Sequence, residues 1–383
     1  MRKLAWTAWA LAMLAVAPDL SARESSRAKE VPVRNVIYMI GDGMGLTHVS
    51  MMMLEEGYRP TSFDRSQNVA LITTYSANNR VTDSAAAGTA LASGRKTNNG
   101  MLGMTPDGET FESMMEKAMD EGWKAGLVVT VYLQHATPAA FYAHVPSRND
   151  LDEISEQFVE SGVDVAFGGG RKFLAADRGD GKTLIDELKA KDYRVVYDLQ
   201  EADAVDRGRI VGLFSEEYMP TVLNGRDENY LCDATKKALE ILTNNAGRKG
   251  GFLLMVEGSQ IDSEAHANNA QGILAETRDF DRAVGAAMDY ADAHPGTLVV
   301  VTARDVGLGD HEQRDRFHAV GQRRRLSFRH DRPFRNDGSR LFVRDRRRAD
   351  QRRDGQYRAV EEDTVADGSG IVACGLRKSG NGS

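Results

Sequence analysis

The feature that most constrains the fold is a β-rich apolar run, residues 32–40 (PVRNVIYMI), which stops at the turn Gly41-Asp42-Gly43-Met44-Gly45. A buried strand ending in a glycine-rich turn is typical of α/β proteins, which place functional groups just past strand carboxyl ends. Further strand-like runs lie at residues 125–131, 251–256 and 297–302. Helix-like segments lie between them, at residues 84–92, 110–121, 233–244 and 272–293. This alternation predicts an α/β fold, a three-layer sandwich with a mostly parallel central sheet.

The composition is that of a globular protein. The chain has 383 residues, of which 41% are hydrophobic and 27% charged, which excludes disorder, collagen or coiled coil as the whole-chain structure. The formal net charge of −7 argues against a general polyanion binder, so we expect no nucleic-acid partner. We find no internal repeat and no clear linker before residue 303, and we therefore predict one domain over residues 23–303.

The first 22 residues predict an export signal. Arg2 and Lys3 precede an apolar run at residues 4–17, and a small residue, Ala22, precedes Arg23. The alternative is a membrane anchor, but the run is shorter than the roughly 20 residues that a spanning helix needs. We therefore expect a periplasmic or secreted protein with no membrane contact after signal cleavage. Two cysteines, Cys232 and Cys374, are too few for a disulfide framework, and a single bridge between them is left open.

The chain changes character at Arg304. Residues 304–358 contain 17 arginines, no lysine and 9 acidic residues, a net charge of +8 within a chain of net charge −7. One interpretation is a reading-frame change, because out-of-frame reading of a GC-rich gene yields many arginines. The alternative is a basic tail that binds polyanions. We treat residues 304–383 as an arginine-rich tail, separate from the domain over residues 23–303.

Polar side chains follow the predicted strands or begin a predicted helix. Asp42 lies between two glycines, where it could bind a ligand or satisfy a turn or helix cap. Ser84 begins an alanine-rich helix, where backbone N–H groups favour an anion and a serine can also be a simple N-cap. His135 and Thr137 follow the second strand, and on their own they are only suggestive.

A fourth group follows the apolar run that ends at residue 256. Asp262 and His266 are four residues apart, so on a helix they share one face and can bind one metal ion. Glu257 directly precedes them, at the predicted strand end. Three potential ligands within ten residues favour a metal site over an ordinary solvated face.

Taken together, these segments resemble the alkaline phosphatase family over about residues 33–302. The matching stretches are residues 35–45 (NVIYMIGDGMG), 81–94 (VTDSAAAGTALASG), 134–145 (QHATPAAFYAHV), 165–172 (VAFGGGRK) and 255–269 (MVEGSQIDSEAHANN). The resemblance implies a metal-dependent phosphate monoesterase that forms a phosphoserine, uses two zinc ions and one magnesium ion, and could form a homodimer.

The resemblance also implies a role for each residue. Ser84 would be the nucleophile and would contact one zinc together with Asp42, which bridges that zinc and the magnesium. Arg148 would clamp the phosphate, as its planar guanidinium suits. The other implied metal ligands are Thr137 and Glu257 for magnesium, with His135 at or near that site, and Asp262 and His266 for the second zinc.

The resemblance fails after Ala303. Where the family reads Asp-His-Glu-Thr-Gly-Gly, this chain reads Arg304-Asp305-Val306-Gly307-Leu308-Gly309-Asp310-His311-Glu312. A zinc-binding Asp-His pair is therefore displaced or missing, unless Asp305 or His311 replaces it, and activity of the chain as written is doubtful. Two alternatives remain: a related phosphodiesterase or sulfatase, and a non-catalytic phosphate- or metal-binding remnant.

Overall fold

The computed structural model describes residues 31–304, except residues 180 and 249. The predicted signal peptide and all of the arginine-rich tail after Arg304 lie outside the described residues, as does Cys374. The chain divides into two compact units, and the first ends at Val33. The described residues of that first unit, 31–33, form neither a helix nor a strand. The fold described below belongs to the unit that begins at Arg34.

Seven strands form one sheet in the order β4-β5-β3-β2-β6-β1-β7. Every pairing among the described strands is parallel, which confirms the predicted α/β class. The strands are β1 (Asn35–Asp42), β2 (Lys124–Tyr132), β3 (Val165–Gly169), β4 (Tyr193–Val196), β5 (Arg209–Leu213), β6 (Phe252–Gly258) and β7 (Thr297–Arg304).

Eleven α-helices surround this sheet in the described part of the chain. They are α1 (Leu46–Glu55), α2 (Ser84–Ser93), α3 (Met114–Asp120), α4 (Ala136–Ala139), α5 (Leu151–Glu160), α6 (Arg171–Leu174), α7 (Leu184–Ala190), α8 (Leu199–Asp203), α9 (Tyr230–Ala246), α10 (Gln260–His266) and α11 (Ala270–Ala293). Two short 3₁₀ turns lie at Ser62–Arg65 and Val222–Asn224.

The central strands are apolar because both of their faces are covered. Successive side chains of a strand point to opposite faces. On β1, Tyr38 and Ile40 pack in one hydrophobic cluster with residues of α2–α7, whereas Ile37 and Met39 pack in a second cluster with residues of α8–α11. The sheet therefore lies between two helical layers, as the three-layer prediction requires.

The observed elements differ from the predicted ones in two informative places. The predicted helix at residues 110–121 begins only at Met114, because Ser113 caps it and Thr110 forms a bridge with Met104. The last strand continues two residues beyond its predicted end, to Arg304. Arg304 is thus part of the sheet, not of a separate tail.

The strand order determines where the polar residues meet. Strands β2, β6, β1 and β7 are consecutive neighbours, and their carboxyl ends lie at one edge of a parallel sheet. Asp42 and Arg304 end β1 and β7, Glu257 lies one residue before the end of β6, and His135 follows β2. No helix among the described residues is both long and apolar enough to cross a bilayer.

Candidate active site at the carboxyl ends of four strands

Asp42 is buried at the end of β1, beside a turn that requires glycine. Gly43 has φ 64°, and a Cβ there would lie 2.4 Å from Oδ1 of Asp262. Only a residue without a side chain leaves room for this approach. The turn therefore brings α10 against the end of β1. The cap of α1 is Gly45, so the alternative of Asp42 as a helix cap is wrong.

A cluster of buried ligand-type residues surrounds Asp42. Glu257, on the adjacent strand β6, is 0% exposed, and His135 comes from the loop between β2 and α4. One carboxylate or ring atom from each of Asp42, His135 and Glu257 lies within 4.8 Å of the other two. Such closeness of two carboxylates and an imidazole in a buried place is typical of a cation site.

Arg304 places its guanidinium between these acidic groups. Its Nη2 lies 2.7 Å from Oδ2 of Asp42 and 3.3 Å from Oε1 of Glu257, and it donates a hydrogen bond to Oγ1 of Thr137. The sequence-predicted convergence of Asp42, Thr137 and Glu257 is therefore present, around one nitrogen atom of this chain. The sequence analysis missed Arg304 as a site residue because it assigned that residue to the tail.

Burial and nearby charges determine the protonation of this cluster. Burial raises the pKa of Glu257, while the guanidinium of Arg304 opposes that shift. Burial, followed by the charges of Arg148 and Arg304, holds the pKa of His135 well below its ordinary value. The imidazole of His135 is therefore neutral at neutral pH.

The donor set fits a divalent cation. Two buried carboxylates and a threonine hydroxyl supply the oxygen ligands that magnesium prefers. Oε2 of Glu257 and Nδ1 of His135 are buried and have no hydrogen-bond partner among the described residues. Oδ2 of Asp42 and Oε1 of Glu257 already contact Arg304, so the same place suits either a metal ion or this guanidinium.

Ser84 is the first residue of α2 and is buried. Asp83, not Ser84, caps the helix, because its Oδ1 accepts a hydrogen bond of 2.9 Å from the backbone N–H of Ala86. The alternative of Ser84 as a simple N-cap is therefore wrong. Helix α2 packs closely on α4, where a Cβ at Gly88 would lie 3.4 Å from Cα of Thr137. The helix start, which favours anions, thus belongs to the same region as the carboxylate cluster.

Arg148 connects the helix start with the cluster. Its Nη1 lies 3.4 Å from Oδ2 of Asp83, and its Nη2 lies 3.2 Å from Nε2 of His135. A quarter of the Arg148 side chain is exposed (25%), so the guanidinium can also reach a ligand from solvent. It is well placed to bind an anion held at the start of α2.

Asp262 and His266 lie one turn apart on α10, as the sequence spacing predicts. Nε2 of His266 lies 3.3 Å from Oδ2 of Asp262, and the two side chains are 43% and 15% exposed. The pair is more open than the Asp42 cluster and adjoins it through the contact of Asp262 with Gly43. Asp305, Asp310 and His311, which could complete the metal sites, lie outside the described residues.

The structure thus groups the sequence-predicted site residues in two adjoining places. Six of them lie in the region between β1, β2, β6 and α2: Asp42, Ser84, His135, Thr137, Arg148 and Glu257. Asp262 and His266 border this region on α10. Besides Arg304, sequence reasoning overlooked Asp83. The available signal was an aspartate directly before the alanine-rich helix, because aspartate is one of the preferred N-cap residues.

Comparisons with known proteins show which family this chain resembles over most of its length. The family model described as Alkaline phosphatase matches residues 33–366, which includes part of the arginine-rich segment. Alkaline phosphatase 4 of Bacillus subtilis (strain 168) is 37% identical, and the alignment covers 74% of this chain and 64% of that protein. Streptomycin-6-phosphate phosphatase of Streptomyces griseus is 35% identical, with 77% and 78% covered. The chain therefore spans somewhat less than two thirds of the length of the Bacillus relative.

A solved structure shows the same fold. The alkaline phosphatase from the Antarctic bacterium TAB5 has a TM-score of 0.67 and 35% identity, over 72% of this chain and 79% of that one. A variant of that enzyme has been solved with Mg bound in its M3 site. The family match over most of the chain, together with this structural likeness, shows that the chain belongs to the alkaline phosphatase family.

Proposed function

We propose that this chain is built to hydrolyse phosphate monoesters through Ser84. The observation that carries the proposal is the convergence of a helix-start serine, an arginine and a buried carboxylate cluster at one sheet edge. Relatives named as an alkaline phosphatase and as a streptomycin-6-phosphate phosphatase support the monoester as the substrate class.

The proposed reaction has two displacements at phosphorus. Ser84 Oγ forms a bond to phosphorus while its O–H bond and the ester P–O bond break, and the proton that the serine gives up balances the proton that the departing alkoxide takes up. Water then attacks the phosphoserine, which releases inorganic phosphate and returns the Ser84 hydroxyl. Arg148 and the N–H groups of the first turn of α2 hold the phosphate oxygens and balance their negative charge.

The family implies two zinc ions and one magnesium ion at this site. Asp42, Thr137 and Glu257, with His135 beside them, would hold magnesium, Asp42 and Ser84 would hold one zinc, and Asp262 and His266 the other. When bound, such ions would neutralise phosphate oxygens and lower the pKa of the serine hydroxyl. The magnesium in the TAB5 variant supports a metal requirement.

A second candidate is a non-catalytic phosphate-binding protein. The contacts of Arg304 with Asp42 and Glu257 favour it, because a side chain then holds the place that a metal ion would use. In that case Arg148 and the start of α2 would still bind phosphate. Binding without turnover distinguishes this candidate from the esterase.

The location and assembly are also proposals. Residues 1–22 support export to the periplasm or outside the cell, and the mass of the mature chain from an exporting host tests cleavage near Ala22. Homodimer formation, which the family resemblance implies, is tested by light scattering of the purified protein.

The function is tested with chromogenic esters and the metal-supplemented full chain. Whatever hydrolysis this chain supports should be of p-nitrophenyl phosphate, and not of bis-p-nitrophenyl phosphate or p-nitrophenyl sulfate. Ser84→Ala should abolish turnover, and Ser93→Ala, at the opposite end of the same helix, should not change it. Phosphate on Ser84 after incubation at acid pH would establish the intermediate. Unchanged turnover in Ser84→Ala would exclude the assignment, and phosphate binding without turnover would favour the second candidate.

A further inference from the structure

Strand register places residue 304 directly beside Asp42. The two residues are paired in the parallel ladder of β1 and β7, and the backbone N–H of Gly43 donates a hydrogen bond of 2.9 Å to the carbonyl of Arg304. The backbone of Arg304 is therefore held by the sheet. Its side chain is 1% exposed, among the most buried large side chains of the described chain.

The Arg304 side chain lies where a cation is needed. Asp42 and Glu257 are 1% and 0% exposed, and two carboxylates in such a place are costly without a positive charge between them. Nη2 of Arg304 contacts both carboxylates and the Thr137 hydroxyl at once.

A metal ion and this guanidinium cannot share the site. Magnesium binds oxygens at about 2.1 Å, so an ion held by these three residues would lie within their oxygen triangle. That triangle already contains Nη2, which is 2.7 Å from Asp42 Oδ2 and 3.3 Å from Glu257 Oε1. Overlap and like-charge repulsion both oppose simultaneous binding.

We propose that Arg304 is the built-in cation of the Asp42–Thr137–Glu257 site and excludes a divalent metal ion from it. The inference deepens the proposed function, since it concerns the metal occupancy of the same site. Arg304 would then neutralise the carboxylates of Asp42 and Glu257 and stabilise this end of the sheet without a metal ion. The chain would in turn lack a metal ion at this site.

The inference is tested by counting Mn²⁺ ions bound to the full-length, metal-free protein, with free Mn²⁺ measured by electron paramagnetic resonance. Arg304→Ala should bind one more Mn²⁺ per chain than the unaltered protein, with an affinity at least about 100-fold higher for that ion. Arg304→Lys, which keeps the charge, should bind as the unaltered chain does. Arg65→Ala is the matched control, because Arg65 also contacts two carboxylates, Asp289 and Asp292, but at the surface.

A second substitution locates the ion. Adding Glu257→Gln to Arg304→Ala should remove the extra Mn²⁺, whereas Glu257→Gln in the unaltered chain should leave the number of bound ions unchanged. The latter measurement decides the question even if Arg304→Ala does not fold. The inference would be overturned if Glu257→Gln removed a bound ion from the unaltered chain. It would also be overturned if Arg304→Ala bound the same number of ions as the unaltered protein.

The ion count is independent of catalysis. If the unaltered chain hydrolyses phosphate monoesters no faster than Ser84→Ala does, the proposed function fails. The exclusion of metal by Arg304 can still be measured in that case. If the chain hydrolyses phosphate monoesters while Arg304→Ala gains no ion, the proposed function stands and this inference fails.

Discussion

Nη2 of Arg148 lies 3.2 Å from Nε2 of His135. The two residues are 13 positions apart, and the loop after β2, helix α4 and the segment before α5 fold back to bring them together. Since the pKa of His135 is held well below its ordinary value, its neutral ring can accept a hydrogen bond from this guanidinium. The second guanidinium nitrogen contacts Asp83, so Arg148 is oriented from two sides.

The first prediction concerns phosphate binding. Arg148→Ala removes a charged donor near the start of α2, and a hydrogen bond from such a donor contributes about 1.5–3 kcal/mol. We expect inorganic phosphate to bind about 10- to 100-fold more weakly, as measured by calorimetry with the full chain. Arg171→Ala, which breaks an exposed pair with Glu216, should leave phosphate affinity unchanged. Equal affinity in Arg148→Ala would remove Arg148 from the phosphate site.

The second prediction concerns the turn after Asp42. Gly43→Ala combines a left-handed backbone with a Cβ 2.4 Å from Oδ1 and 2.7 Å from Cα of Asp262. We expect a loss of about 3 kcal/mol in the free energy of unfolding. Gly57→Ala isolates the backbone contribution, because Gly57 has the same φ of 64° and no atom within 4 Å of the new Cβ. That control should cost only about 1–2 kcal/mol. Urea unfolding measures both, and equal losses would contradict the close approach of Asp262.

The third prediction concerns the pair formed by His144 and Glu116, whose Nε2 and Oε1 atoms lie 2.7 Å apart. The hydrogen bond that His144 donates to the Glu116 carboxylate raises the pKa of His144 above 6.5. Burial would raise the pKa of Glu116, but hydrogen bonds, that of His144 foremost, bring it below 4.5. The pair therefore stabilises the fold at pH values between 4.5 and 6.5.

This stabilisation should disappear at both ends of that range. It is lost as pH rises through the raised pKa of His144, and lost as pH falls through the lowered pKa of Glu116. His144→Gln should thus cost about 1 kcal/mol near pH 5.5 and less near pH 9, as measured by urea unfolding. In the double variant His144→Gln, Glu116→Gln, the free energy of unfolding should lack both pH-dependent losses that the ion pair causes. A constant cost across pH would show that the pair is not ionic.

The fourth prediction concerns a buried ion network away from the site. Nη2 of Arg226 lies 2.5 Å from Glu276 and 3.0 Å from Asp279, and all three side chains are nearly inaccessible to solvent. Burial raises the pKa of Asp279 to about 7 even though the charge of Arg226 opposes this shift. Loss of Arg226 would remove the positive charge that contacts both buried acids directly. Arg226→Met should cost about 3–5 kcal/mol of unfolding free energy.

Arg178→Met provides the comparison for that network. Arg178 also contacts two acids, Glu156 and Glu187, but at the surface, where such pairs contribute at most about 1 kcal/mol. Chemical unfolding gives the loss of unfolding free energy in Arg226→Met and in Arg178→Met. Because each arginine contacts two acidic residues, the difference between the two losses reports the effect of burial. Similar losses in both would contradict the buried character of the Arg226 network.

Sequence reasoning predicted the central strands well because they are long apolar runs that end in chemistry-bearing turns. Strands β3, β4 and β5 were not predicted, since they have only 5, 4 and 5 residues and two contain glycine. Short runs give little periodicity to separate a strand from a helix. Their place in the sheet follows from long-range pairing of β3 with β2, of β5 with β3 and of β4 with β5, which local sequence does not encode.

The site residues were predictable for the same reason. Asp42 and Glu257 follow apolar strands in sequence, so their position at a common sheet edge follows from parallel pairing. The contact of Arg304 with them was not predictable from local pattern. It depends on the register of β7 against β1, and on the two extra residues by which β7 exceeds its predicted length.

The fifth prediction concerns the segment that begins at Arg304. Replacing residues from 304 onward with a family-like Asp-His-Glu-Thr-Gly-Gly continuation and its distal histidine would remove the guanidinium and supply the missing ligands. Catalytic zinc sites normally have three protein ligands, whereas Asp262 and His266 supply only two. We therefore expect near-zero hydrolysis of p-nitrophenyl phosphate by the chain as written, and a gain of several powers of ten after replacement.

The single substitution Arg304→Asp separates the two contributions to that gain. It removes the cation from between Asp42 and Glu257 but adds only one of the missing ligands, so its activity should remain well below that of the full replacement. The rates are compared in the presence of zinc and magnesium, with Ser84→Ala in the replaced chain as the background. If the chain as written already works at ordinary enzyme rates, then Asp305, Asp310 or His311 supplies the zinc ligands and Arg304 does not block the centre.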